Sequence, residues 1–214
     1  MMHTAAIILA AGTSSRMSDG RNKLLLPLQQ RPVLAHVIAA ALGSRARPVV
    51  LVLGHQAEEV RAHLQLGELT GTVRIVENPA FADGQSTSMQ AGLRALLTDQ
   101  PARELAGVIF LLGDQPMISA NLIDGLIDLH TTSGKRIVLP LYAGQRGNPV
   151  LFSLDLAPEL LQVSGDEGGR SVLKRHPQDI ATLAVGEEML NADVDTWEAY
   201  QRVLASWPSA RTEP

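Results

Sequence analysis

Nothing limits the folding of this chain more than an alternation along its length. Short, almost wholly apolar runs are separated by longer stretches in which apolar residues recur at helical spacing. The runs are "AAIILA", "PVVLVLG", "TVRIVE", "GVIFLLG" and "RIVLPL". Each has the length and the Ile, Val and Leu content of a strand buried on both faces. Between and after them lie "PVLAHVIAAALGS", "QAEEVRAHL", "STSMQAGLRALL" and "SANLIDGLIDLH", each patterned for a helix. Parallel strands need crossovers and helices supply them, so the order predicts an α/β fold, a three-layer, Rossmann-like, mostly parallel sheet with helices on both faces. In such sheets ligands bind beyond the carboxyl ends of the strands.

Past about residue 140 the pattern loosens into two loops containing Gly and Arg, "YAGQRGNPVLF" and "SGDEGGRSVLKRHP", before "DIATLAV" and a closing helix near "TWEAYQRVLASW". No linker or composition break divides the chain. Residues 1–206 are expected to form one domain and 207–214 a frayed tail. A chain of 214 residues suits one domain with a substantial core.

The net charge of −4 and the lack of a dense Lys/Arg stripe argue against nucleic acid as a partner and for a small ligand. With no cysteine, thiolate metal sites, disulfides and thiol nucleophiles are excluded, so a metal would need oxygen or imidazole ligands. The start "MMHTAAIILAAG" lacks a basic region, and its apolar run is too short to span a bilayer, which predicts a cytoplasmic protein without a membrane partner. No exposed apolar stripe assigns an oligomeric state.

The stretch "IILAAGTSSRMSDGRNKLLLP" leaves the end of the first strand through small polar residues, passes Arg16 and reaches Lys23. Backbone N–H groups on small residues, with two cations, can surround a polyphosphate. Neither Gly-x-x-x-x-Gly-Lys-Ser/Thr nor Gly-x-Gly-x-x-Gly is present. An ordinary surface loop with solvated cations accounts equally for the composition alone.

"LAAGTSSRM…KLLLP" resembles Leu-Ala-Ala-Gly-x-Ser-x-Arg-Met-Gly-x-x-Lys-Leu-Leu-Leu-Pro, the signature of nucleotidyltransferases with a nucleotide-diphospho-sugar transferase fold. Within them it is most similar to the molybdenum cofactor cytidylyltransferases and their MobA-like relatives. The resemblance implies that Leu9, Ala10, Ala11, Gly12, Thr13, Ser14, Arg16 and Lys23 hold a nucleoside triphosphate, with Arg16 and Lys23 on its phosphates. Two departures stand out. Ser18 replaces a glycine, and Asp19 and Gly20 place Lys23 two residues later than in the pattern, leaving open which cation, Arg21 included, reaches which phosphate.

"GVIFLLGDQPMIS" ends a strand in a carboxylate, where a hard divalent cation can bridge protein and phosphates. Asp114 could instead cap the helix that follows, although Ser119 is better placed for that. Gly-Asp-Gln-Pro resembles the family's Mg²⁺ motif, which implies Asp114 as a ligand. "NADVDTWEAY" is similar to the family's Asp-Ile-Asp-Thr segment and implies Asp195 as the second ligand, with Asp193 in reserve. Helix capping by Asp195 or Thr196 is the alternative use of this segment.

In "ENPAFADGQSTSMQAGLRAL" the hydroxyls of residues 86–88 suit an anion or a helix cap. The resemblance implies Asn78, Gly84, Ser86 and Ser88 as contacts to base and ribose. It also implies that Gln115, Arg146, Asn148 and Arg170 face the acceptor, guanidinium being suited to a phosphate monoester. Asn148 and Gly169 replace the pattern's His and Ala. His36 and His55 have no partner spacing and are assigned to structure.

The resemblance therefore implies a Mg²⁺-dependent enzyme, with Arg16, Lys23 and Asp114 as catalytic residues. It would join CMP from CTP to molybdopterin and release pyrophosphate, for maturation of a molybdenum hydroxylase. Ala11 is the residue that points to CTP, since guanylyl-transferring relatives carry Leu-Ala-Gly-Gly. Three other readings stand beside it: another nucleotide or acceptor, a non-catalytic cofactor-binding accessory protein, and an oxidoreductase offshoot.

Overall fold

The computed structural model describes residues 2–17, 21–65, 72–99, 104–186 and 191–207. Its centre is an eight-stranded sheet made from β1 (His3–Ala10), β4 (Val49–Leu53), β5 (Val73–Glu77), β6 (Leu105–Leu112), β7 (Ile137–Tyr142), β8 (Gln145–Arg146), β9 (Val150–Ser153) and β10 (Ile180–Val185). The order is β10-β7-β9-β6-β1-β4-β5, with β8 paired to β7. Pairs β1/β4, β1/β6, β4/β5 and β7/β10 are parallel, while β9 runs antiparallel between β6 and β7. A hairpin of β2 (Pro27–Leu28) and β3 (Arg31–Pro32) lies apart from the sheet.

Every run predicted as a strand is one, and the closing "DIATLAV" is β10. The strand β9 is an addition to the prediction, since "PVLF" falls inside a stretch read as loop. Its four residues are too few to show a period. It exists because β6 and β7 leave a gap that an antiparallel segment fills, with Phe110 opposite Val150 and Ile137 opposite Phe152.

The inner strands β1, β4, β6 and β7 are apolar almost without interruption because both faces are covered, while the edge strand β5 keeps Arg74 and Glu77 and is only partly buried. From β1, Ala6, Ile8 and Ala10 enter a cluster that includes residues of α1 (Val33–Gly43) and α4 (Ala120–Ser133). The alternate residues Ala5, Ile7 and Leu9 enter a second cluster with Met89 and Leu93 of α3 (Gln85–Asp99) and Val172 of α6 (Arg170–Arg175). The helix α2 (Ala57–His63) contributes Val60 to the first, and the short α5 (Ala157–Leu160) contributes Leu160 to the second. A third cluster packs Tyr200 and Val203 of α7 (Trp197–Ser206) against Leu28 and Val33. The Tyr200 hydroxyl donates to the Pro27 carbonyl, tying α7 to the hairpin.

Trp207 departs from the expected tail. Its ring meets His36 edge-on at 4.6 Å and it packs with the third cluster. Residues 208–214, and with them the rest of that tail, lie outside the described residues, as do Ser18, Asp19 and Gly20. Among the described residues no helix is long and apolar enough to cross a membrane.

Candidate active site

The carboxyl ends of β1 and β6, the start of α3 and the loops around β8 and α6 enclose a cavity of about 830 Å³. The residues from Leu9 through Arg16, which leave the end of β1, form one wall. Among the described residues no atom lies within 4 Å of a Cβ built on Gly12, which lines the cavity. Ser14 has φ of 53°, and its hydroxyl accepts the Lys23 backbone N–H at 3.2 Å, which seats the lysine.

The Lys23 ammonium donates to two carboxylates, Asp114 Oδ2 and, at 2.5 Å, Asp195 Oδ1. The Arg16 guanidinium takes the other oxygen, Asp195 Oδ2, also at 2.5 Å. Two segments, those of Asp114 and Asp195, 81 residues apart, are thus brought onto one cation, with Val194 N–H donating to the Asp114 carbonyl at 2.9 Å to join their backbones. Neither carboxylate is spent on a helix cap. Ser119 caps α4 by accepting from Leu122 N–H at 3.2 Å, and Thr196 caps α7 by accepting from Ala199 N–H at 3.2 Å. Such caps contribute about 1 kcal/mol each and leave the aspartates free for other work.

Charge in this cluster is balanced unevenly. Burial alone would lower the Lys23 ammonium, but Asp114 and Asp195 outweigh it and hold the ammonium above its ordinary value. Burial would raise Asp195, yet Lys23 and Arg16 prevail and keep its carboxyl below the usual aspartate range. Asp193 differs. Burial, with the Asp114 charge adding to it, pushes its carboxyl up to about 6, against the hydrogen bond it accepts from Gln115.

Of the residues expected to hold nucleotide, Leu9 to Ser14, Arg16, Lys23, Gly84 and Ser88 line the cavity, whereas Asn78 and Ser86 do not. Asn78 is a brace: its amide donates to Thr87 Oγ1 at 2.8 Å and to Ser88 Oγ at 3.0 Å. Arg21 lies over the Trp197 ring, 5.9 Å from its centre, and is not among the lining residues. Arg146, Asn148 and Arg170 line the other end of the cavity, and neither arginine has a carboxylate partner among the described residues. Gln115 stands behind the wall, buried and turned to Asp193.

Two features had no sequence signal. Phe110, Leu139, Val150, Phe152 and Met89 give the end with Arg146 and Arg170 an apolar floor: Phe110 and Leu139 come from strands that the sequence could only assign to core, Val150 and Phe152 from the unpredicted β9, and Met89 from α3. Asn191 joins the two ends. Its side-chain oxygen accepts from the Asn148 backbone N–H at 3.2 Å and from the Gln115 amide at 3.4 Å, and a Cβ on Gly147 would meet it at 2.6 Å.

Residues 6–180 match the model of the MobA-like NTP transferase domain. Nicotine blue oxidoreductase of Paenarthrobacter nicotinovorans is 30% identical over 206 residues, covering 92% of this chain and 95% of that protein. Bifunctional protein GlmU of Pelobacter propionicus is 35% identical over 204 residues, 93% of this chain, and the chain spans only 39% of its length. Among solved structures, Rv0371c of Mycobacterium tuberculosis H37Rv superposes with a TM-score of 0.79 at 30% identity, over 96% of this chain and 98% of that one. A manganese complex of Rv0371c gives a TM-score of 0.75 at 29% identity, over 96% and 99% of the two chains.

Proposed function

This chain belongs to the MobA-like NTP transferase family and is a nucleotidyltransferase, and from that premise we propose that it transfers CMP from CTP to the phosphate of a molybdopterin-type acceptor, releasing pyrophosphate. The observation that carries this reading is the meeting of Asp114, Asp195, Lys23 and Arg16 at one end of a cavity whose other end presents Arg146 and Arg170 without a carboxylate partner among the described residues. An enzyme joining two phosphates needs positive charge toward both, and carboxylates can add to it by holding a metal.

The donor set fits a hard divalent cation. Two carboxylates already converge on a single positive charge, and among the described residues no group of three His, Asp or Glu side chains forms a complete cage. Such an ion commonly takes one or two carboxylates and fills its remaining positions with phosphate oxygens and water. Asp114 and Asp195 would hold it, with Mg²⁺ the assignment the sequence favours, and when bound it neutralises phosphate charge. Manganese in the Rv0371c complex is consistent with a divalent ion.

In the reaction a phosphate oxygen of the acceptor attacks the α-phosphorus in line. The bond from that phosphorus to the bridging oxygen breaks, and pyrophosphate leaves with the electron pair. The acceptor monoester is already anionic near neutral pH, so no protein nucleophile or general base is required. Positioning and charge stabilisation supply most of the rate. Arg146 and Arg170 grip the acceptor phosphate, while Lys23 and Arg16 meet the charge that grows on the leaving group. Ala11, buried with its methyl against Gly54, is the residue in favour of CTP.

The test is pyrophosphate release with CTP, GTP or ATP, each with Mg²⁺ and molybdenum-loaded molybdopterin. Release with CTP alone supports the reading; silence with all three overturns it. Similarity along nearly the whole of nicotine blue oxidoreductase favours a second reading, an oxidoreductase offshoot. That reading predicts consumption of a nicotinamide reductant in place of pyrophosphate release.

A further inference from the structure

We propose that Lys23 is the resident counter-ion of the metal subsite: its ammonium holds the space between Asp114 and Asp195 until polyphosphate draws it away, so that metal and triphosphate load together. The inference rests on the reading of Asp114 and Asp195 as the residues toward a divalent cation. Its basis is geometric. One ammonium donates to an oxygen of each aspartate, so the space where both carboxylates converge is taken by the Lys23 positive charge.

Two cations touch Asp195, and their settings differ. The Lys23 side chain is 13% exposed and the Arg16 side chain 73%. Water and salt screen an exposed pair until it contributes little, whereas a shielded ammonium keeps its hold. Arg16 also bonds the far oxygen, Asp195 Oδ2, and does not touch Asp114. Lys23 is therefore the group that a metal must displace, and Arg16 is a bystander to that exchange.

Displacement needs somewhere for the ammonium to go. Lys23 and the loop from Gly12 to Arg16 line the same cavity, so phosphates lying on that loop would offer the ammonium new anionic partners. Metal alone would have to expel the ammonium with no new anion to receive it; metal with triphosphate would not. By linkage, whatever factor triphosphate adds to metal affinity, metal adds to triphosphate affinity.

The experiment is Mn²⁺ binding to the purified full-length protein, read by the loss of the free Mn²⁺ signal in electron paramagnetic resonance. It is run with and without inorganic tripolyphosphate at matched free Mn²⁺. Wild type should bind Mn²⁺ weakly alone and about ten-fold or more tighter with tripolyphosphate. Lys23→Gln should bind Mn²⁺ alone about ten-fold tighter than wild type, whereas Arg16→Gln should change it by less than about three-fold. Equal Mn²⁺ affinity in wild type and Lys23→Gln, or an equal gain in Arg16→Gln, overturns the proposal. Should Lys23→Gln not fold, wild type decides alone: tight Mn²⁺ binding that tripolyphosphate does not improve overturns it. None of these readings uses CTP or the acceptor, so failure of cytidylyl transfer is seen separately in the pyrophosphate assay.

Discussion

Gly169→Ala tests the shape of the acceptor end, because at this position only space is at issue. Gly169 has φ of −73° and ψ of −5°, a conformation alanine adopts freely, so no backbone penalty enters. A Cβ there would lie 2.8 Å from Phe152 Cζ and 3.2 Å from Cε2, inside the 3.4 Å at which ordinary contact begins. The ring cannot readily give way. Phe152 is buried, meets Phe110 edge-on at 6.0 Å, and belongs to a strand held on both sides. Forcing a methyl into such a place costs roughly 1–3 kcal/mol.

Part of that strain should be relieved by moving the loop before α6, which would carry Arg170 away from the cavity. Phe152→Leu removes the clashing edge. Although it leaves a void of its own, the double variant should be less destabilised than the sum of the two singles by about 1 kcal/mol. Urea denaturation followed by Trp197 and Trp207 fluorescence measures all four proteins. A Gly169→Ala protein as stable as wild type, or a strictly additive cycle, would refute the reasoning. The family pattern carries alanine at this position, so Phe152 and Gly169 are expected to be a matched pair that reshapes the acceptor pocket.

Asp114→Ala should lower the rate of pyrophosphate release by about 10²–10³-fold while the protein remains folded by circular dichroism; an unimpaired rate would remove Asp114 from the machinery. Arg146→Gln and Arg170→Gln should each raise KM for the phosphorylated acceptor by about ten-fold or more and leave KM for CTP nearly unchanged, since each charge-assisted contact contributes about 1.5–3 kcal/mol. His130, hydrogen-bonded to Ser153 Oγ at 2.7 Å, has its pKa lowered by burial, with Asp155 opposing. The unfolded chain thus takes up a proton that the folded one refuses. Stability is whole above about pH 6.5 and falls as pH drops below it. Urea midpoints at pH 7.5 and 5.5 should differ less in His130→Gln than in wild type, and an equal fall would contradict the assignment.

Much of this was legible because β1, β4, β6 and β7 are buried on both faces over most of their length and so carry almost no polar interruption, whereas β5, the edge strand, keeps Arg74 and Glu77 and was read from its Val and Ile content alone. The carboxylates were legible because each closes an apolar run or opens a helix, where ends of elements meet. The Ser119 cap followed from its place before α4, but the choice between Asp195 and Thr196 as the cap of α7 required coordinates: Thr196 takes it, and that is what leaves Asp195, like Asp114, available. Asn78, Ser86 and Gln115 illustrate the limit of pattern. They lie beside the cavity in sequence terms but turn inward, because a buried amide or hydroxyl must find partners before it can serve a ligand. Asn191 and Phe152 left no trace, since their contacts join segments whose approach depends on the place of β9 in the sheet.

The reversed direction of β9 has an evolutionary reading. Because β7 ends and β9 begins at the same edge of the sheet, residues 143–149 leave and return there, and β8 folds within that span. Lengthening, shortening or recolouring that excursion alters what the acceptor end admits without disturbing β1, its loop or the ends that carry Asp114 and Asp195. On the proposed function, a change confined to that excursion would alter the second substrate while sparing the residues proposed to hold the nucleotide.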